Sequence, residues 1–153
     1  MKKLITSLFI FCFLATGIVS NASAEADELF KTPIIKQSDQ WKIEIKKAKE
    51  TAKTTNNKFE RYYVVITNIG KDLDSVEFNT YRNEPNTETK YGLSINDLQY
   101  EKFNQGQVFE FPNFPISSKS RELQFEISWH EKPHSKEVQG RKYKETFTFT
   151  PIK

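Results

Sequence analysis

Leu123-Gln124-Phe125-Glu126-Ile127-Ser128-Trp129 alternates apolar and polar side chains along its whole length. Successive side chains of a strand point to opposite faces, so this stretch predicts a strand with one dry face and one wet one. The same period runs elsewhere. Trp41, Ile43 and Ile45 alternate with Lys42, Glu44 and Lys46, and Phe147 and Phe149 alternate with Thr146, Thr148 and Thr150. Tyr62 to Ile66 is apolar on both faces, as a central strand would be. Ser75 to Tyr81 predicts a strand through Val76, Phe78, Thr80 and Tyr81, after the turn Asn68-Ile69-Gly70-Lys71-Asp72. Gln107 to Phe111 reads as a short strand closed by Pro112 and Tyr91 to Ile95 as another, while Asn96 to Phe103 could hold a helical turn. Trp129 is expected between two sheets with Ile43, Ile45, Val64, Phe125 and Ile127.

The N-terminus carries an export address. Lys2 and Lys3 precede an apolar run from Leu4 to Val19, and Ala22-Ser23-Ala24 is a small-x-small cleavage site ahead of Glu25. The run is shorter than the ~20 residues a spanning helix needs, so cleavage after Ala24 and no membrane span in the mature chain are expected. Cys12 follows the bulky Phe9-Ile10-Phe11 and reads as an apolar member of the signal rather than a lipidation site. The expected organisation is therefore a signal peptide over 1–24, a loosely held leader over 25–40 and a β-sandwich over 41–153. Within the leader, Phe30, Ile34 and Ile35 could pair at a sheet edge. The lysine-rich stretch from Lys46 to Lys58 lacks the apolar stripe of a docked helix and reads as a solvated hairpin connection.

Losing the signal removes Cys12 and Met1, the only cysteine and the only methionine. Disulfides, thiolate metal sites, cysteine nucleophiles and thioether copper sites go with them. It also removes two of the 23 basic residues, leaving 21 against 20 acids, a near-neutral chain with no global signal for nucleic acid. Ten of the 13 phenylalanines remain, with six tyrosines and two tryptophans, a balance that fits pleated, half-buried surfaces. A chain of roughly 130 residues can bury about two-thirds of its surface, enough for one core without covalent staples.

Seven short strands with polar turns point to an all-β, antiparallel sandwich. The passage Tyr62-Tyr63-Val64-Val65-Ile66-Thr67-Asn68-Ile69-Gly70 resembles the strand, Asn, x, Gly, next-strand passage of small secreted bacterial immunoglobulin-like proteins. Phe114-Pro115-Ile116-Ser117-Ser118 leading into Leu123 to Trp129 resembles their penultimate turn and strand, and Arg141 to Thr150 their final strand. The resemblance implies an immunoglobulin-like sandwich and no particular activity, since such folds host many functions.

The residue inventory offers little to catalysis. The two histidines, His130 and His134, are four apart, but Pro133 stands between them and the strand is ending. They read as loop residues; Glu131 and Glu137 could complete a weak metal site only if the loop folded back. No Gly-x-Ser-x-Gly elbow exists, although convergent acids for a small secreted hydrolase or metal-dependent enzyme stay open as an alternative. Binding has three candidate surfaces. Lys46, Lys47, Lys49, Lys53 and Lys58 could meet an anionic envelope polymer, or simply guard a sheet edge, with Glu44, Glu50 and Glu60 diluting their field. Phe109, Phe111 and Phe114, with Pro112 and Pro115, could form an apolar ridge, or face the core. The loop from Arg82 to Lys90 could carry recognition, as loops on rigid scaffolds often do. The expectation is an exported, non-enzymatic binding or interaction module of the cell envelope or extracellular space. It would engage an unknown protein or anionic envelope polymer, with no cofactor and no nucleic acid.

Overall fold

A computed structural model describes residues 28–49, 58–83, 89–93, 95, 98–133, 135, 138 and 140–151. The expected signal peptide, the middle of the lysine-rich connection with Lys53, the tip of the 82–90 loop, His134 and Glu137 lie outside the described residues. Where about seven strands were expected, the described residues form nine, all paired antiparallel. They are β1 (Ile34–Gln37), β2 (Trp41–Lys47), β3 (Phe59–Asn68), β4 (Leu73–Asn83), β5 (Lys90–Gly92), β6 (Leu98–Tyr100), β7 (Val108–Ser117), β8 (Glu122–Glu131) and β9 (Lys142–Phe149).

One sheet runs β1-β2-β3-β7 and the other β5-β4-β8-β9, with β6 also on β4. The chain changes sheet between β3 and β4, returns between β6 and β7, and changes again between β7 and β8. The two sheets bury the alternating residues that the sequence marks as apolar. Trp41, Ile43, Ile45, Val64 and Ile66 come from one inner face, and Val76, Phe78, Leu123, Phe125, Ile127 and Phe149 from the other.

Rings interlock at the centre. Trp41 is fully buried, 5.7 Å from Phe78 and Phe103 and 5.8 Å from Trp129 by ring centroid, mostly edge to face. Trp129 sits on the inner face as expected and also stacks on Tyr143 of the neighbouring strand at 5.6 Å. Edge-to-face and offset pairs satisfy the ring quadrupoles while removing large apolar areas from water. This interior stands in for the internal disulfides that a chain with one cysteine cannot form.

The short and irregular elements depart from expectation. Residues 28–40 carry β1, in which Ile34 and Ile35 pair at a sheet edge as the sequence suggested, and Phe30, which is fully buried where a loose leader was expected. A tight turn in which Ser38 N–H donates to the Trp41 carbonyl at 2.8 Å sets β1 against β2. The strand expected to stop at Pro112 continues as β7 to Ser117. Among the described residues it has one neighbour, β3, and between Phe111 and Phe114 it carries an extra residue against Val64 and Tyr62. A bulge on an edge strand leaves N–H groups with no ladder partner, so proline is tolerated there. Of the stretch from Asn96 to Phe103 that could hold a helical turn, residues 98–103 hold β6 and an isolated bridge from Phe103 to Leu73, and residues 96 and 97 lie outside the described residues.

Candidate functional site

The outer face of the second sheet bears a depression of about 440 Å3. Its cause lies in the register. Across the sheet run Gln99, Glu77, Ser128 and Lys144 in one row, and Ser75, His130 and Lys142 in the next. Their neighbours in the chain, Val76, Ile127 and Trp129, point into the core, so these residues face outward by the period of two. The floor is low because Ser75 and Ser128 are small and stand on the two central strands, while Glu77, Gln99, Glu101, His130 and Lys142 rise around them.

Within this trough Ser75 Oγ lies 2.9 Å from His130 Nδ1, directly across the β4–β8 ladder. Both are half-buried. Asn79 donates to Glu77 Oε1 at 2.9 Å, and Lys144 pairs with Glu126 at 2.7 Å. Among the described residues, no three histidine, cysteine, aspartate or glutamate side chains gather where a metal ion could be held.

The residues singled out from the sequence fall elsewhere. Lys46 pairs with Glu44 at 3.0 Å on the outer face of β2, and Lys47 is bonded to Glu28. Lys49 is exposed just beyond β2. Phe114 is fully buried against Phe111 and Phe125, and Phe109 stacks on Phe78 at 5.4 Å. Alternation turns Phe109 and Phe111 inward, and the extra residue after Phe111 brings Phe114 back to the same face, while Pro112 stays exposed beside them. Of the 82–90 loop, Arg82, Asn83 and Lys90 are strand residues of β4 and β5. His130, read as a loop residue, belongs to β8 and faces Lys142.

Two polar locks brace the sandwich away from the trough. Asn68, fully buried, accepts from Gln40 Nε2 at 2.6 Å and Gly70 N–H at 3.1 Å, and donates to the carbonyls of Lys71 and Phe103 at 2.9 and 3.0 Å. Gly70 is required at this corner, since a Cβ there would lie 2.4 Å from Gln40 Oε1 and 2.9 Å from its Cα. The second lock holds the leader. Tyr62 donates its hydroxyl to Glu60 and accepts the Phe30 N–H at 3.1 Å, while the Leu29 N–H donates to Glu60 at 2.9 Å. Burial, then the bond to Glu60, pushes the Tyr62 hydroxyl far above its ordinary value. On the surface, a hydrogen bond to Glu110 raises Tyr63. The Gln105 N–H at 2.8 Å and the Lys132 ammonium at 2.9 Å hold the Asp72 carboxyl below its ordinary value.

Sequence reasoning placed Ser75, Glu77 and Ser128 on strands but did not bring them together. Alternation marks them as outward-facing, and nothing in the local pattern says that β4 and β8 are neighbours. Among the described residues no helix is long and apolar enough to cross a membrane.

Comparison with known proteins agrees with the export address. The chain is 28% identical over 166 aligned residues to the uncharacterised protein YozF of Bacillus subtilis (strain 168), covering 98% of this chain and 97% of that one. No solved structure matches. The family model described as YozF-like secreted protein matches residues 25–153, beginning at the residue after the expected cleavage site. The protein is secreted, and the chain belongs to the YozF-like secreted protein family.

Proposed function

We propose that this secreted protein is a non-enzymatic binding module of the cell envelope or extracellular space, engaging its partner through the outer face of the β4–β8–β9 sheet. The observation that carries this reading is the contrast between a filled interior and a trough on a rigid face. Ring contacts occupy the space between the sheets. The concave polar surface lies outside, on two central strands whose backbones are held on both sides. A site on strands rather than loops presents its donors and acceptors in a fixed pattern, which suits recognition. The order β1-β2-β3-β7 against β5-β4-β8-β9, with crossings after β3, β6 and β7, supports reading the architecture as immunoglobulin-like.

The test is capture from culture supernatant and cell-envelope fractions by the secreted protein and by Ser128→Arg, which fills the trough. A component retained by the parent and lost from the variant supports the module. Equal retention by both moves the contact to another surface, and no retention from either fraction defeats it.

A hydrolytic reading is favoured by one observation, the 2.9 Å approach of Ser75 to His130. A nucleophilic serine needs such a base within reach. Ser75 lies within β4 beside a register shift between Leu73 and Ser75, however, and not on the strand-to-helix elbow that thrusts a nucleophilic hydroxyl at a substrate. Covalent labelling of Ser75 by a fluorophosphonate, abolished in His130→Ala, would establish this reading over the first.

A further inference from the structure

The trough has banks of opposite charge. Glu77 and Glu101 stand on the side of β4 and β6, and Lys142 stands on β9. Lys144 is committed to Glu126 at 2.7 Å, so Lys142 is the ammonium that faces the depression. Between the banks lie Ser75, Ser128 and the His130 ring, side chains that exchange hydrogen bonds with neutral polar groups. From β4 to β9 is two inter-strand steps, roughly 10 Å at about 4.8 Å per step.

We propose that this trough binds a short peptide with free termini, its ammonium against Glu77 and Glu101 and its carboxylate on Lys142. The inference rests on the trough being the contact surface proposed above, and names its ligand class. An extended tripeptide spans roughly 10 Å at about 3.3–3.6 Å per residue, which matches the separation of the banks. Its peptide groups would pass over the two serine hydroxyls and the imidazole. Other ligand classes fit less well. A sugar ring favours an exposed aromatic face, yet Trp129 is only 5% exposed and Tyr100 packs against Phe78, Phe103 and Phe109. A polyanion would meet two carboxylates along one bank.

The experiment is titration of the secreted, isotopically labelled protein with trialanine, followed through backbone amide shifts. Saturable shifts are expected at Ser75, Glu77, Ser128, His130 and Lys142, with the inner-face amides unmoved. N-acetylated trialanine and trialanine amide should each bind about tenfold more weakly, as expected for losing one charge-assisted contact. Lys142→Glu should abolish binding. The charge swap Glu77→Lys and Glu101→Lys with Lys142→Glu should restore it, because the peptide can then lie in the reverse direction. Unmoved inner-face amides in each variant show that its fold is kept.

Equal affinity for capped and free peptides, a charge swap that fails to restore binding, or no saturable shift at millimolar peptide would overturn the proposal. If trialanine is inert while Ser128→Arg still abolishes capture from envelope or supernatant, the peptide class fails and the binding module stands. If both are negative, both fail.

Discussion

Strands β4 and β8 present two unlike faces built from alternate residues of the same peptides. Inward, Val76 and Phe78 meet Ile127 and Trp129, all buried and ringed by Trp41 and Phe103. Outward, one residue away in each case, Ser75 meets His130 and Glu77 meets Ser128. The inner face is specified by volume, since a core near crystal density penalises any change of shape. The outer face is limited mainly by solubility, so side chains there are free to be chosen for a ligand. The two faces should therefore separate stability from binding.

The largest effect expected is at the inner centre. Trp41→Ala should destabilise by about 3–5 kcal/mol, the range for emptying a buried aromatic site. Urea unfolding read by the fluorescence of Trp129 would measure it, and a loss below about 1 kcal/mol would mean that the facing rings do not rely on Trp41. Next comes the corner lock. Asn68→Ala strips partners from the Lys71 and Phe103 carbonyls and from the Gly70 N–H, and should cost about 1–3 kcal/mol by the same measurement.

A smaller effect is expected where the leader is fastened. Tyr62→Phe keeps the ring against Phe30 and removes only the hydroxyl, for about 1 kcal/mol. It should also carry a pH signature. The native Tyr62 value is raised, so its stabilisation is complete below the ordinary value of 10.0 and is lost as the pH rises through the native value. Comparing parent and Tyr62→Phe unfolding above pH 10 should show the parent's advantage shrinking. Persistence of that advantage would detach the hydroxyl from the lock.

On the outer face, Ser128 is itself buried at the floor of the trough, so Ser128→Arg should cost about 1 kcal/mol, well short of Trp41→Ala, while abolishing partner capture. A cost like that of Trp41→Ala would collapse the distinction between the two faces. Smallest of all is the effect of Asp72, an exposed group whose carboxyl is held below its ordinary value of 3.8. Its contribution is present above that value and fades as the pH falls through the lowered native one. Asp72→Asn should match the parent in the acid limit and fall slightly behind it at neutral pH.

The alternation from Leu123 to Trp129, Trp41 to Lys46 and Phe147 to Thr150 was enough to assign three strands, their buried faces and an all-β class, because a period of two is a local property of the chain. The export address was legible for the same reason, as it is read as a linear segment. Pro112 was misleading because a proline ends a strand only where its missing N–H would have met a partner, and β7 has one neighbour and a bulge at that point. Phe30 was hard to place because its anchor Tyr62, like Glu60, which holds Leu29, lies some thirty residues further along the chain.

The candidate site was less legible than the fold. Ser75 and His130 are 55 positions apart and touch only because β4 and β8 pair in one register. Slipping that register by one residue would turn each outward row inward, so the trough is a property of pairing and not of either strand. Local periodicity decided which residues would be dry, since each strand's two faces are written in its own sequence. Which wet residues stand side by side was decided by the tertiary structure, since strand order and register depend on how the whole core closes.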